Sequence, residues 1–307
     1  MRQERVDPFA AEGEWLRCAL HAHTTRSDGE LEPETLAAHY ARAGYDVLAI
    51  TDHWKRTEAE SDGLVVIASA ELNCILPHAR DGHVLAFGID SDPGELATEY
   101  ADLERTGAWI DDHGGVAYLA HPYWTGAIPG SFELPDNVSG IEVYNGGCEL
   151  EIGRGLASVH WDELLEAGQD CLAIAADDSH HPGFDSDLAW TWVRAAERSR
   201  GAVLDALRRG SFYASTGARV LGLELDGDAV EVRTSPCRSV TLLAGKSVGA
   251  AAHAGRLPYC HRARVLERAD DGTITRARLE LPVAARYARL ELVARNGRRA
   301  WTNPVWT

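Results

Sequence analysis

The chain has no surplus of positive charge. Thirty Lys and Arg stand against 47 Asp and Glu, a formal net charge of −17 at pH 7. A long nucleic acid held along a broad surface needs a basic stripe, so that partner is not expected. A small anionic substrate held through bound cations stays compatible with such acidity. No apolar run is long enough to span a bilayer, and the opening MRQERVDPFAAEGEW lacks the basic-then-apolar layout of a signal peptide. No membrane partner is therefore expected. The six cysteines are scattered and form no CxxC pair. Cys18 and Cys171 lie inside apolar, strand-like runs, which reads as core thiols in a reducing cytoplasm. Disulfides would call for an export signal. Internal repeats and low-complexity linkers are also missing.

What is present is a globular composition, 45% hydrophobic and 25% charged over 307 residues. That length suits one large domain with a small one, or two of medium size. Short apolar runs recur with polar, metal-capable residues near their C-terminal ends. WLRCALHAH ends in His21 and His23, YDVLAITDH in Asp52 and His53, LVVIASAE in Glu71, and GGVAYLAHP in His121. GIEVYNG carries Glu142 and Asn145, and CLAIAADDSH ends in Asp178 and His180. Helical segments lie between several of these runs. PETLAAHYARAGY starts on Pro33 and stops at Gly44, LATEYADLERTGAWIDDH follows later, and RGLASVHWDELLEAG ends on Gly168. Alternating strands and helices predict an α/β architecture. Polar groups at the ends of many different strands favour a barrel over an open sheet with one crevice.

After about residue 219 the texture changes. LGLELDGDAVEVRT, RARLELP and ARYARLELVARNGRRAW alternate apolar and polar residues, with DGD, DDG and NG as turns. Residues 220–307 read as a small antiparallel β-sandwich after an α/β domain spanning 1–219. GSFYASTG closes the first domain, and AWTNPVW is expected to fold back against it.

His21 and His23 lie one residue apart on an extended segment, so both imidazoles point to the same side. A bridging metal explains such a pair, and so does a pair satisfied by carboxylates or water. Taken together, His21, His23, Asp28, His53, Glu71, His121, Asp178 and His180 all sit at or just beyond strand ends. Nitrogen and oxygen ligands without a thiolate suit zinc, manganese or iron in a multinuclear catalytic site. His39 and His160 read as helix residues, and His78, His113, His253 and His261 fall outside the pattern.

HAHTTRSDG, ITDH, ASAEL, GHVLAFG, YLAHP and ADDSH, in that order, resemble the PHP (polymerase and histidinol phosphatase) family over roughly residues 15–219. The resemblance implies a distorted, TIM-like (β/α)7 barrel holding two or three divalent ions (Mn, Zn or Fe) in its mouth. By motif, His21 and His23 would hold the first ion with Glu71 and Asp178. Glu71 would bridge to a second, held also by His83 and His121, and Asp28, His53 and His180 would hold a third. His83 rests on the resemblance, because it precedes its apolar run. WDELLEAG, GSFYASTG and the closing AWTNPVW resemble a branch with an appended β domain that includes aryl carbamate hydrolases.

Two ions about 3.5 Å apart lower the pKa of a shared water and clamp an anionic transition state. The residues closest to that chemistry would be Glu71, Asp178 and His181, the last as an acid or an oxyanion contact. An exposed loop histidine is the plainer account of His181. Ser179 reads as a spacer between ligands. Asp52 and Asp177 are expected to orient imidazoles, with solvated loop carboxylates as the alternative. Arg26, Lys55, Arg56, Tyr144 and His181 are candidate substrate contacts, with Tyr123 and Trp124 as pocket walls. The expected activity is hydrolysis of a small phosphomonoester, a nucleotide or sugar phosphate. The alternatives are a carbamate or carboxylic ester hydrolase on the same metals, and a scaffold or regulatory module that keeps the barrel.

Overall fold

The computed structural model describes residues 4–94, 101–255 and 257–306, without the side chain of Arg80. The chain divides into two compact units, Met1–Phe212 and Tyr213–Thr307.

The first unit is a mixed α/β structure. Its strands are β1 (Glu14–Ala19), β2 (Val47–Ile50), β3 (Val65–Leu76), β4 (Ala79–Phe87), β5 (Val116–Ala120), β6 (Val138–Asn145), β7 (Leu172–Ala176) and β8 (Trp190–Ala195). They are ordered β8-β1-β2-β3-β4-β5-β6-β7. The pairs β1–β2, β2–β3, β5–β6 and β6–β7 are parallel, whereas β1–β8, β3–β4 and β4–β5 are antiparallel. The strands are buried on both faces, as a sheet covered on two sides requires. Cys18, Val47, Ala49 and Ile67 pack into one apolar cluster, and Ala19, Leu48 and Ile50 pack into another beneath Leu36 and Tyr40.

Helices cover and connect these strands: α1 (Pro33–Arg42), α2 (Leu103–Asp112), α3 (Pro122–Thr125), α4 (Gly146–Ile152), α5 (Ser158–Glu166), α6 (Pro182–Asp185) and α7 (Arg200–Arg209). Pro33 opens α1, and Gly44 follows its end at φ +79°, a left-handed conformation that glycine adopts without a Cβ clash. The helix expected from residue 96 is seen from Leu103, with Asp102 capping its N-terminus, while residues 96–100 lie outside the described ones.

The sheet is not closed. Among the described residues no ladder joins β7 to β8; the Thr191 hydroxyl donates to Ala175 O and accepts from Ala175 N instead. Just beyond the strands, His23 N donates to Ser179 O and Asp178 N donates to His21 O. These bonds and the Ala22↔Ser179 bridge bring the chain after β1 beside the chain after β7.

The second unit is antiparallel in its described pairings. Its strands are β9 (Phe212–Ser215, which starts on the last residue of the first unit), β10 (Val220–Asp226), β11 (Ala229–Gly245), β12 (Val248–His253), β13 (Tyr259–His261), β14 (Ala263–Arg268), β15 (Ile274–Glu280), β16 (Tyr287–Ala294), β17 (Arg299–Thr302) and β18 (Val305–Trp306). The long β11 changes partners along its length. Residues 229–233 lie between β10 and β15, and residues 239–243 lie between β12 and β16. Thr302, Trp301 and Ala300 pair with Tyr213, Ala214 and Ser215, so the closing AWTNPVW meets GSFYASTG, but that strand falls in the second unit and does not close the first as expected. That pairing explains why the division between units falls at 212/213, ahead of the texture change at 219.

Candidate metal centre

The extensions of β1, β2, β5 and β7 deliver most of the expected ligands to one end of the sheet, whereas Glu71, expected at a strand end, lies in the middle of β3, which runs on past it to Leu76. His83 arrives there by a different route. Its strand, β4, runs antiparallel to β3 and β5, so the early part of β4 lies beside their late parts: His83 pairs with Asn73 and with Ala120. A histidine before its apolar run therefore reaches the same end as histidines placed after theirs.

At the centre, Glu71 Oε2 and Asp178 Oδ1 face two imidazole nitrogens. His21 Nε2 is 3.3 Å from Glu71 Oε2 and 3.1 Å from Asp178 Oδ1; His23 Nε2 is 3.3 and 3.2 Å from the same atoms. His21 Nε2, His23 Nε2 and Asp178 Oδ1 are buried without a hydrogen-bond partner. Burying polar atoms unsatisfied is costly. Ligands held at about 2.0–2.2 Å from one ion stand about 3.0–3.5 Å apart, which is the spacing these four atoms show. The donors fit a divalent ion.

Two further groups share atoms or residues with this one. His53, Glu71 and His83 form the second; His83 Nδ1 is 2.8 Å and His121 Nε2 3.1 Å from Glu71 Oε1. Asp28 meets His23, His53 and His180 at 3.4–3.5 Å in the third. All nine expected ligands thus converge. His53 stands between two groups, its Nδ1 toward Glu71 and its Nε2 toward Asp28.

Several residues orient this shell. Glu142, fully buried on β6, places Oε1 2.9 Å from His21 Nδ1, while its Oε2 accepts from His121 N and Asn145 Nδ2. Asn145 Nδ2 also donates to Asp178 Oδ2. Asp185, on α6, accepts from Ser179 Oγ, His180 N and His181 N, which engages the Ser179 hydroxyl and shapes the ligand-bearing loop. Both strand-end neighbours assigned to orient imidazoles do something else. Asp52 accepts from Thr24 N, Thr24 Oγ1 and Ser27 Oγ, so it fixes the loop between His23 and Asp28. Asp177 accepts from Tyr40 OH and from the amides of Asp187, Leu188 and Ala189. Burial pushes its carboxyl up to about 6.

Opposite charges dominate the electrostatics. Burial alone would lower His23, but Asp178 and Glu71 raise it to about 9. His21 is likewise opposed by burial and raised well above its usual range by Asp178, Glu71 and Glu142. Burial would raise Glu71, yet His21 and His83 hold it well below the usual carboxylate range.

The groups open into a cleft of about 530 Å³ whose walls include Trp124, Leu150, Glu151, His181 and Phe184. His181 reaches it but is 67% exposed, with Nδ1 3.5 Å from Glu30 Oε2. Arg26 and Lys55 do not line it. They border another depression with Trp54 and Arg56, and Arg26 pairs with Glu32. Arg56 is engaged by Glu58 and by Ile89 O. Tyr144 is absent from the cleft walls, and Tyr123 packs against His160 and Arg154. Only Trp124 of the expected aromatic walls is in place, its ring 5.1 Å from that of His121.

The architecture now has a counterpart. A two-domain protein from Bacteroides vulgatus, described as containing a predicted PHP-like metal-dependent phosphoesterase, superposes with a TM-score of 0.55 at 17% identity, over 99% of each chain. The fold is shared. A candidate metal-dependent phosphoesterase from Bifidobacterium adolescentis (TM-score 0.43) and an amidohydrolase from Chromobacterium violaceum solved with sulfate and no metal (0.38) each match 55% of this chain and 89% of their own, at 17% identity. No family model and no curated protein matches the sequence.

Proposed function

We propose that this chain is a metal-dependent hydrolase of the PHP type, a phosphoesterase acting on a small phosphomonoester. The observation that carries the reading is the set of buried, unpartnered atoms on His21, His23 and Asp178, facing Glu71 at ligand-to-ligand spacing. His21, His23, Glu71 and Asp178 would hold one ion, Glu71, His83 and His121 another, and Asp28, His53 and His180 a third, His53 standing between the last two. Bound there, divalent ions supply activation of a water and stabilisation of charge developing on the substrate. Glu71 sets the spacing of the donor groups, Glu142 fixes the His21 tautomer so that Nε2 faces the centre, and Asp28 keeps His53 and His180 together.

A phosphoryl group has several oxygens on which charge gathers, and a third group of donors has an evident use with it. A carbamate or carboxylic ester hydrolase is the second reading. It is favoured by cleft walls that carry Leu150 and Phe184 and, among the described residues, no Lys or Arg. Within this proposal the first unit is a distorted barrel of the (β/α)7 kind, the second a β-sandwich appendage, and the setting a reducing cytoplasm, in keeping with free cysteines. The test is a panel of phosphomonoesters, carbamates and carboxylic esters against protein loaded with manganese, zinc or iron. Turnover confined to phosphomonoesters supports the reading; turnover confined to carbonyl esters transfers it to the alternative.

A further inference from the structure

We infer that the substrate carries a single anionic or electrophilic centre joined to an apolar, planar group, and that a second negative charge on it is rejected. This rests on the hydrolase reading above and names the substrate class for that site. The inference comes from the walls of the cleft beyond the His, Asp and Glu cluster.

Three short helices supply those walls, α3 with Trp124, α4 with Leu150 and Glu151, and α6 with Phe184. Phe184 is 77% exposed and Leu150 50% exposed, although both line a cleft that also contains buried polar groups. Large apolar side chains left open at the mouth of a polar site give a ligand apolar area to cover. Trp124 adds a ring fixed in place. Its Nε1 donates to Glu151 Oε2 at 2.7 Å, and its ring packs edge-to-face against His121. The indole is thereby held next to an expected ligand, where a planar group attached to the reacting centre would reach it.

Charge on the walls points the same way. Among the described residues no Lys or Arg lines the cleft, and the exposed Glu151 stands on its rim. Among the described residues His181 is the one imidazole there outside the ligand set, and Glu30 faces it. One anionic centre can be met by bound ions. A second anionic group, placed away from them, would meet Glu151 and no fixed cation.

The test uses the metal-loaded full chain and three phosphonates that cannot be hydrolysed: methylphosphonate, phenylphosphonate and 3-phosphonopropionate. Titration calorimetry should give phenylphosphonate an affinity about tenfold or more above methylphosphonate, from covering the ring. The carboxylate of 3-phosphonopropionate should weaken binding below that of methylphosphonate. Phe184→Ala combined with Leu150→Ala should bring the phenyl-to-methyl ratio toward one. Glu151→Gln, which can still accept from Trp124, should relieve the penalty on 3-phosphonopropionate. Equal affinity for the phenyl and methyl compounds, tighter binding of 3-phosphonopropionate, or no phosphonate binding would each overturn the inference. Phenyl phosphate turnover in the same sample separates the two claims. If the binding preference holds without turnover of any ester, the cleft is selective as inferred and the hydrolase reading fails.

Discussion

Glu142 Oε1 lies 2.9 Å from His21 Nδ1, deep in the protein, and that contact decides which nitrogen of His21 faces Glu71 and Asp178. A carboxylate accepting Nδ1–H leaves the Nε2 lone pair turned to the centre.

Glu142→Gln should therefore weaken metal binding by about 10–100-fold. The carboxylate receives three donors, from His21, His121 and Asn145, and an amide NH2 must confront one of them. A competition titration with a chromogenic chelator measures the change. Wild-type affinity in the variant would show that Glu142 does not orient His21.

Stability of the chelated protein should fall as pH rises from about 6.5 to about 9. His23 is raised to about 9 in the folded state, and His21 is raised as well. A histidine with a raised folded pKa contributes stability that is complete below its unfolded value and is lost through the folded one. Metal binding needs neutral imidazoles, so the stabilisation gained on adding metal should grow over the same range. Melting curves with and without chelator at stepped pH test both slopes. Parallel curves would contradict the assignment of these pairs to a shared metal centre.

How far the site was legible depended on strand direction. The strand-end pattern located eight residues because β1, β2, β3, β5 and β7 all run toward the cleft, and it missed His83 because β4 runs the other way. An antiparallel neighbour in a mostly parallel pattern has no local signature; only the likeness of GHVLAFG to a family motif pointed to it. Glu142 and Asn145 were visible as polar residues in GIEVYNG, but their role depends on β6 lying beside β5 and β7. Asp177 was misread because adjacency to a ligand in sequence does not fix where a side chain points: both residues lie past the end of β7, where the chain turns through Asp178 at φ +56°. Its partners are Tyr40 and the chain at 187–189. Arg26 and Lys55 failed for a related reason. A loop cation after a ligand can face either way, and these face the neighbouring depression. The β domain was legible from its alternation, whereas the pairing of β9 with β17 links positions far apart in the chain and set the boundary.

Asp28→Asn should reduce phosphatase activity by about tenfold or more and any carbonyl esterase activity by less. Asp28 contacts His23, His53 and His180 and is grouped with those three alone, so its loss falls on the third donor group. Parallel rates on an aryl phosphate and the matching aryl acetate give the comparison. An equal loss on both would remove the third group from any phosphate-specific part.

The central claim is a multinuclear metal centre built around Glu71, and elemental analysis of reconstituted, gel-filtered protein tests it most directly. Eight residues in three overlapping groups, with His121 against Glu71, are more donors than one ion uses, so about two to three divalent ions per chain are expected. Glu71→Ala should lose more metal than any other single ligand variant, because its two oxygens face different donor groups. A saturated stoichiometry of one, or a Glu71→Ala protein that loads like the wild type, would contradict the account.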